Sequence, residues 1–217
     1  MSIAALIVAA GRGTRAGGND PKQWQMLAGK RVIDHTLNAF KRHRNIDTIL
    51  VVLHPEDQNR LTDPAIKTAL GGATRNKSVY NGLRALRAAA PKQVLIHDVA
   101  RPLISAKCIT DVIEALRTHR GAAPALPITD ALWRGQDGLV SETVARKNLF
   151  RAQTPQGFDF QSILQAHAQA CGAAADDVEV AIQAGLDVKI IAGHEENIKI
   201  TLPEDFERAS KIMKDRR

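Results

Sequence analysis

Ile3 to Ala10 is an unbroken apolar run, and at Gly11 it gives way to a segment that suits neither strand nor helix. A run of this length bounded by glycine reads as a fully buried strand. Behind it come Gly11, Gly13, Gly17 and Gly18, interleaved with Arg12 and Arg15 and followed by Pro21 and Lys22. Glycine lets a backbone turn tightly and bring its N–H groups against a ligand. Rows of such amides bind anions, and Arg and Lys add the charge. The segment therefore reads as a triphosphate cradle. A plain turn with solvated cations is the weaker reading, because an ordinary turn needs only one or two glycines.

Two commoner phosphate motifs fit poorly. Gly11 to Ala16 satisfies G-x-G-x-x-A, but a dinucleotide site needs a helix starting in the glycine turn and an acid closing the next strand. Gly17, Gly18 and Pro21 oppose an early helix, and the next strand runs into His54-Pro55. Gly29-Lys30 is followed by Arg31 and lacks the upstream glycine of a Walker loop.

Strand-like and helix-like stretches then alternate. Val32, Ile33, Thr36, Leu37 and Phe40 share a helical face, and Thr48 to His54 is a strand. Gly71-Gly72 precedes a helix carrying Val79, Leu83 and Leu86; Gln93 to Asp98 is a strand. Ser105 caps a helix expected to reach Arg120. Ala123–Ile128 and Asp187–Ala192 are strand-like, and a last helix opens at Thr201-Leu-Pro-Glu204 with a capping-box spacing. The expected fold is α/β: a Rossmann-like, mostly parallel sheet with helices on both faces. From Ala131 to Val144 the chain alternates around Gln136-Asp-Gly138, the pattern of a hairpin. Lying outside the main rhythm, residues 131–146 read as a projecting arm, which packs on a second subunit or folds back on its own domain.

At 217 residues with 44% apolar and 24% charged content, the chain suits one soluble domain. The N-terminal run is too short for a signal or membrane span, so the cytoplasm is expected. Cys108 and Cys171, each placed in a helix-like stretch, have no metal-type spacing. The net charge is +7, with eight Lys/Arg against two Asp/Glu between Arg12 and Arg44. Polynucleotide binding would explain that bias, but aromatic residues are only 4% of the chain. A polyphosphate substrate explains it better.

Asp98 closes a strand, where ligands of open parallel sheets gather. A carboxylate there holds Mg²⁺ or a ribose hydroxyl, or else pairs structurally with Arg101. His97 points to the other face and reads as buried and hydrogen-bonded. Gly72 and Ser78 sit where backbone amides and a hydroxyl could read a base edge. No nucleophile elbow, zinc-protease helix or catalytic cysteine context occurs. Nucleotidyl transfer needs none of these, since the acceptor's oxygen attacks while cations stabilise the developing charge.

Taken in order, the glycine loop with Pro21-Lys22, GG-x-x-R-x-x-S (71–78), LIHDVARP (95–102), T-V-A-R ending at Arg146, Q-T-P-Q (153–156) and N-I-K-I-T (197–201) resemble the bacterial 2-C-methyl-D-erythritol 4-phosphate cytidylyltransferases along essentially the whole chain. The resemblance implies cytidylyl transfer from CTP to methylerythritol phosphate with Mg²⁺, releasing pyrophosphate. It assigns transition-state stabilisation to Arg15 and Lys22. The nucleotide falls to Ala9, Ala10, Gly11, Gly13, Gly72, Ser78 and Asp98, the last also near the metal. Arg146 and Lys199 fall to the acceptor, with Arg146 reaching a neighbouring subunit of a homodimer joined through the arm. Val8, Val99, Ala131 and Ala175 depart from the family pattern, which has threonine at the last two. The wording GRGTRAGG also resembles the cytidylyltransferase half of fusions with a downstream cyclodiphosphate synthase. Transfer to another sugar or alditol phosphate, or nucleotide binding without turnover, are the alternatives.

Overall fold

The structure, a computed structural model, describes residues 2–13 and 20–216. β1 (Ile3–Ala9) leads through the short pair β2 (Met26–Leu27) and β3 (Lys30–Arg31) to α1 (Val32–Lys41). Next come β4 (Thr48–Leu53), β5 (Lys67–Leu70), α2 (Arg75–Leu86), β6 (Gln93–Asp98), α3 (Ala106–Ala115) and β7 (Gly121–Pro127). The hairpin strands β8 (Leu132–Gln136) and β9 (Leu139–Val144) follow, then β10 (Phe150–Ala152), β11 (Gln156–Asp159), α4 (Phe160–Gln169), α5 (Asp177–Gln183), β12 (Val188–Ala192) and α6 (Glu204–Asp215).

β5, β4, β1 and β6 lie side by side, all parallel, with β1 between β4 and β6. β11 runs antiparallel between β6 and β7, β10 pairs antiparallel further along β7, and β12 pairs parallel with β7. The fold is thus a mostly parallel sheet covered by helices. Every second residue of β1 faces a different core, as a pleated strand requires. Ile3, Ala5, Ile7 and Ala9 join α1 and α3 on one face. Ala4 and Leu6 join α2, α4 and α5 on the other. A smaller cluster of Leu27, Val32, Ile198, Ile200 and Ala209 seats α6.

Three local expectations are corrected. α3 stops at Ala115 rather than Arg120, because its buried stripe ends at Leu116 and exposed Arg117–Arg120 turn into β7. At α6 the carboxylate that accepts from Thr201 N and Leu202 N (2.7 and 2.8 Å) belongs to Asp205, so the Thr201–Glu204 capping box does not form. Cys171 lies beyond the end of α4 and is exposed, whereas Cys108 is buried within α3; both are free. β8 and β9 form an antiparallel pair outside the main sheet, joined by Asp137-Gly138 with both φ angles positive (52° and 79°). That is the geometry of a type I′ turn, which matches the twist of a hairpin. Trp133 and Leu139 are 65% and 75% exposed on it.

Candidate active site

A cleft of about 440 Å³ opens at the carboxyl ends of β1, β4 and β6, and Ala10, Gly11, Lys22, Ser78, Asp98 and Lys199 are among its lining residues. Each strand delivers its last residues there because parallel strands all point the same way.

The glycine loop is held from below. Gln23, only 1% exposed, donates from Nε2 to the carbonyls of Ala9 and Gly11, both at 3.1 Å. Gly13 has φ +61°, and a Cβ there would meet Lys22 Cγ at 2.8 Å, so the lysine stem lies flat on the loop. Lys22 Nζ donates to Ile200 O at 2.7 Å. Arg12 pairs with Glu56 at 3.0 Å and stands 3.5 Å from Asp57. Arg15 lies outside the described residues.

On the opposite wall, Gly71 lets the backbone approach β1, since a Cβ there would stand 2.4 Å from Ala10 Cβ. Ser78 is turned inward: its hydroxyl donates to Thr74 O at 2.9 Å and accepts from Gly72 N at 3.0 Å. In this arrangement serine and glycine shape each other, and Thr74 caps α2 through Lys77 N.

Asp98 sits at the centre. Lys199 Nζ reaches its Oδ2 at 2.7 Å and Arg75 Nη2 its Oδ1 at 3.2 Å. Burial alone would raise the Asp98 pKa, but Arg75 and Lys199 outweigh it and hold the group well below the usual carboxylate range. Arg101 is not its hydrogen-bonding partner. One turn past the strand end, its guanidinium runs beneath the site to Asn197 O (2.7 Å) and Ala152 O (3.3 Å). Asn197 in turn donates to Thr154 O at 2.9 Å, and Ile200 N donates to Ala100 O at 2.8 Å. These bonds fix the 197–201 segment so that Lys199 projects over Asp98.

His97 is fully buried, and burial pushes its pKa down to about 4. Its Nε2 faces Arg101 O (3.1 Å), so it donates there, and Nδ1 accepts from the Thr154 hydroxyl at 3.0 Å. A neutral ring satisfies both contacts, a structural arrangement beside the cleft. Arg146 does not line the cleft; it lies at the base of the arm, bonded to Thr129 O.

Gln23 and Arg75 also line the cleft, though neither stands out as a site residue in the sequence. Only Arg75 carried a signal, its place in GG-x-x-R-x-x-S. Among the described residues no group of three His, Cys, Asp or Glu is placed to hold a metal ion. Among the described residues that line the cleft, Asp98 is the one carboxylate.

The family model for 2-C-methyl-D-erythritol 4-phosphate cytidylyltransferase matches residues 3–215. The chain belongs to this family. A cytidylyltransferase of the same description from Cereibacter sphaeroides is 51% identical over 98% of this chain and 97% of its own length. The bifunctional enzyme IspD/IspF of Ruegeria pomeroyi is 55% identical over 99% of this chain and 57% of its own. Among solved structures, the 2-C-methyl-D-erythritol 4-phosphate cytidylyltransferase from Thermus thermophilus superposes with a TM-score of 0.83 at 32% identity, covering 99% of this chain and all of that one. A 4-diphosphocytidyl-2C-methyl-D-erythritol synthase gives 0.86 at 30% identity, covering 98% of each. As a cytidylyltransferase the chain is a nucleotidyltransferase enzyme.

Proposed function

We propose that this cytidylyltransferase moves the cytidylyl group of CTP onto 2-C-methyl-D-erythritol 4-phosphate, in isoprenoid precursor synthesis. The observation that carries the reading is the pairing of Asp98 with Lys199 opposite Lys22 in one cleft at the strand ends. A phosphate oxygen of the acceptor attacks the α-phosphorus. The bond to the β-phosphate breaks, and its electron pair leaves with pyrophosphate. Lys22, with Arg15, stabilises charge on the phosphorus centre. Ala9, Ala10, Gly11 and Gly13 wrap the triphosphate, while Gly72 and Ser78 shape the pocket for the base. Asp98, held ionised, receives the ribose and is the residue that would hold Mg²⁺, which when bound would neutralise charge on the phosphates. Lys199 orients the acceptor. Arg146, remote from its own cleft, serves that of a second copy through the arm, whose exposed apolar side chains favour a homodimer.

The whole chain works as one nucleotidyltransferase domain with the arm as a subdomain. Free Cys108 and Cys171 suit a reducing cytoplasm, and no helix among the described residues is long and apolar enough to cross a membrane. Pyrophosphate release from Mg·CTP with a panel of acceptor phosphates tests the reading. Turnover is expected with methylerythritol phosphate. Turnover only with another sugar or alditol phosphate would move the assignment, and none with any acceptor would leave a binding module.

A further inference from the structure

A chain of charges runs inward from Asp98, away from the cleft. Arg75 Nη2 is shared between two carboxylates, 3.2 Å from Asp98 Oδ1 and 2.8 Å from Asp177 Oδ2, and Arg75 Nε also donates to Asp98 Oδ1 at 3.4 Å. Arg75 Nη1 makes no hydrogen bond among the described residues. The shorter Nη2 contact is to Asp177, which is 0% exposed. Asp177 is itself seated by two other elements. Gln156 Oε1 accepts from the backbone N–H of Asp177 and of Val178 at 3.0 and 3.1 Å. His167, buried in the last turn of α4, brings Nε2 to 3.2 Å from Asp177 Oδ1, a close polar contact that is not aligned as a hydrogen bond.

A buried carboxylate is costly unless it is paired, and replacing a whole buried ion pair by apolar residues is often neutral or stabilising. Helix capping does not require this one, because Asp176 already caps α5 by accepting from Glu179 N. The charge of Asp177 is matched instead by Arg75, and Arg75 lines the cleft. An arginine left with a single carboxylate takes both its oxygens in a planar fork. Asp98 would then be turned onto Arg75 and away from Lys199.

The geometry points to Asp177 as a positioning residue for nucleotidyl transfer. It holds Arg75 Nη2, so that the guanidinium reaches only Oδ1 of Asp98, and Oδ2 stays oriented by Lys199 for the bound nucleotide. His167 holds Asp177 in place from behind. This inference rests on the reading of Asp98 as a nucleotide contact.

The test is a double-mutant cycle on Mg·CTP affinity by calorimetry and on kcat/KM for CTP. Asp177→Asn is expected to weaken both by about tenfold, and in an Asp98→Asn background to cost nothing further, since coupled groups are non-additive. Equal losses in both backgrounds would reduce Asp177 to a fold-holding residue and overturn the inference. Wild-type values for Asp177→Asn would do the same. If Asp98→Asn itself leaves CTP binding and turnover unchanged, the reading of Asp98 fails instead. His167→Gln, which keeps Arg75 and Asp177, decides the matter should Asp177→Asn not fold. It is expected to give a smaller CTP-specific loss that disappears in the Asp98→Asn background. Wild-type behaviour of the folded His167→Gln protein would overturn the inference.

Discussion

Lys22 shows how one side chain serves both folding and chemistry. Its stem lies on Gly13 and its ammonium donates to Ile200 O, so the cation is held in place before any nucleotide arrives. Preorganised charge acts mainly on the transition state. Lys22→Ala should therefore lower kcat by about a hundredfold or more while changing CTP affinity far less, as single-turnover rates and calorimetry would show. Equal losses would make it a ground-state contact. His97 makes a different prediction. Its folded pKa, about 4, lies below the ordinary 6.5, so the unfolded chain binds more protons between those values. The stability it contributes is present above pH 6.5 and is lost as pH falls towards 4, a change of up to about 3 kcal/mol. His43, also lowered by burial and by Arg44, adds a slope of the same sign. His97→Gln should flatten the pH dependence of denaturant midpoints in that window, leaving the slope of His43 and, towards pH 4, that of the aspartates held low by their cations. An unchanged slope would contradict the burial argument.

Elements were legible where a periodic pattern could set them alone. β1, α1, β4 and β6 have apolar faces that match their period, and their ends agree with the sequence to within a residue or so. The pieces that complete the sheet did not carry such patterns. β11 is four residues, Gln156 to Asp159, and exists because β6 and β7 flank it. α5 is seven residues, held by Gln156 and Arg75 from distant parts of the chain. The Asp98–Arg75 contact was equally hidden: nearby Arg101 is the local candidate, and only the fold brings Arg75 closer. The hairpin arm was readable from Asp137-Gly138, but the partner of its exposed Trp133, Leu139 and Val140 was not. If that partner is a second copy, Trp133→Glu with Leu139→Lys should shift light-scattering mass from dimer to monomer without lowering the melting temperature. The same variant should raise the acceptor KM, as Arg146→Ala should, while CTP affinity stays put. A dimer that persists would place the interface elsewhere.

Across the whole molecule, the fold gathers four cationic side chains, Arg12, Lys22, Arg75 and Lys199, around the Asp98 carboxylate at a single edge of the parallel strands. Lys22 and Lys199 come from segments nearly the full chain apart and meet through Ile200, whose carbonyl accepts from the first and whose amide docks on Ala100 beside Asp98. Such a site acts by placement and charge, and the attacking group comes from the acceptor. The stereochemical course at the α-phosphorus tests this most directly, using CTP bearing a chiral phosphorothioate at that position and methylerythritol phosphate as acceptor. A single in-line displacement inverts the configuration in the product, which is the predicted result. Retention would require a cytidylyl group carried covalently on the protein and would contradict the account.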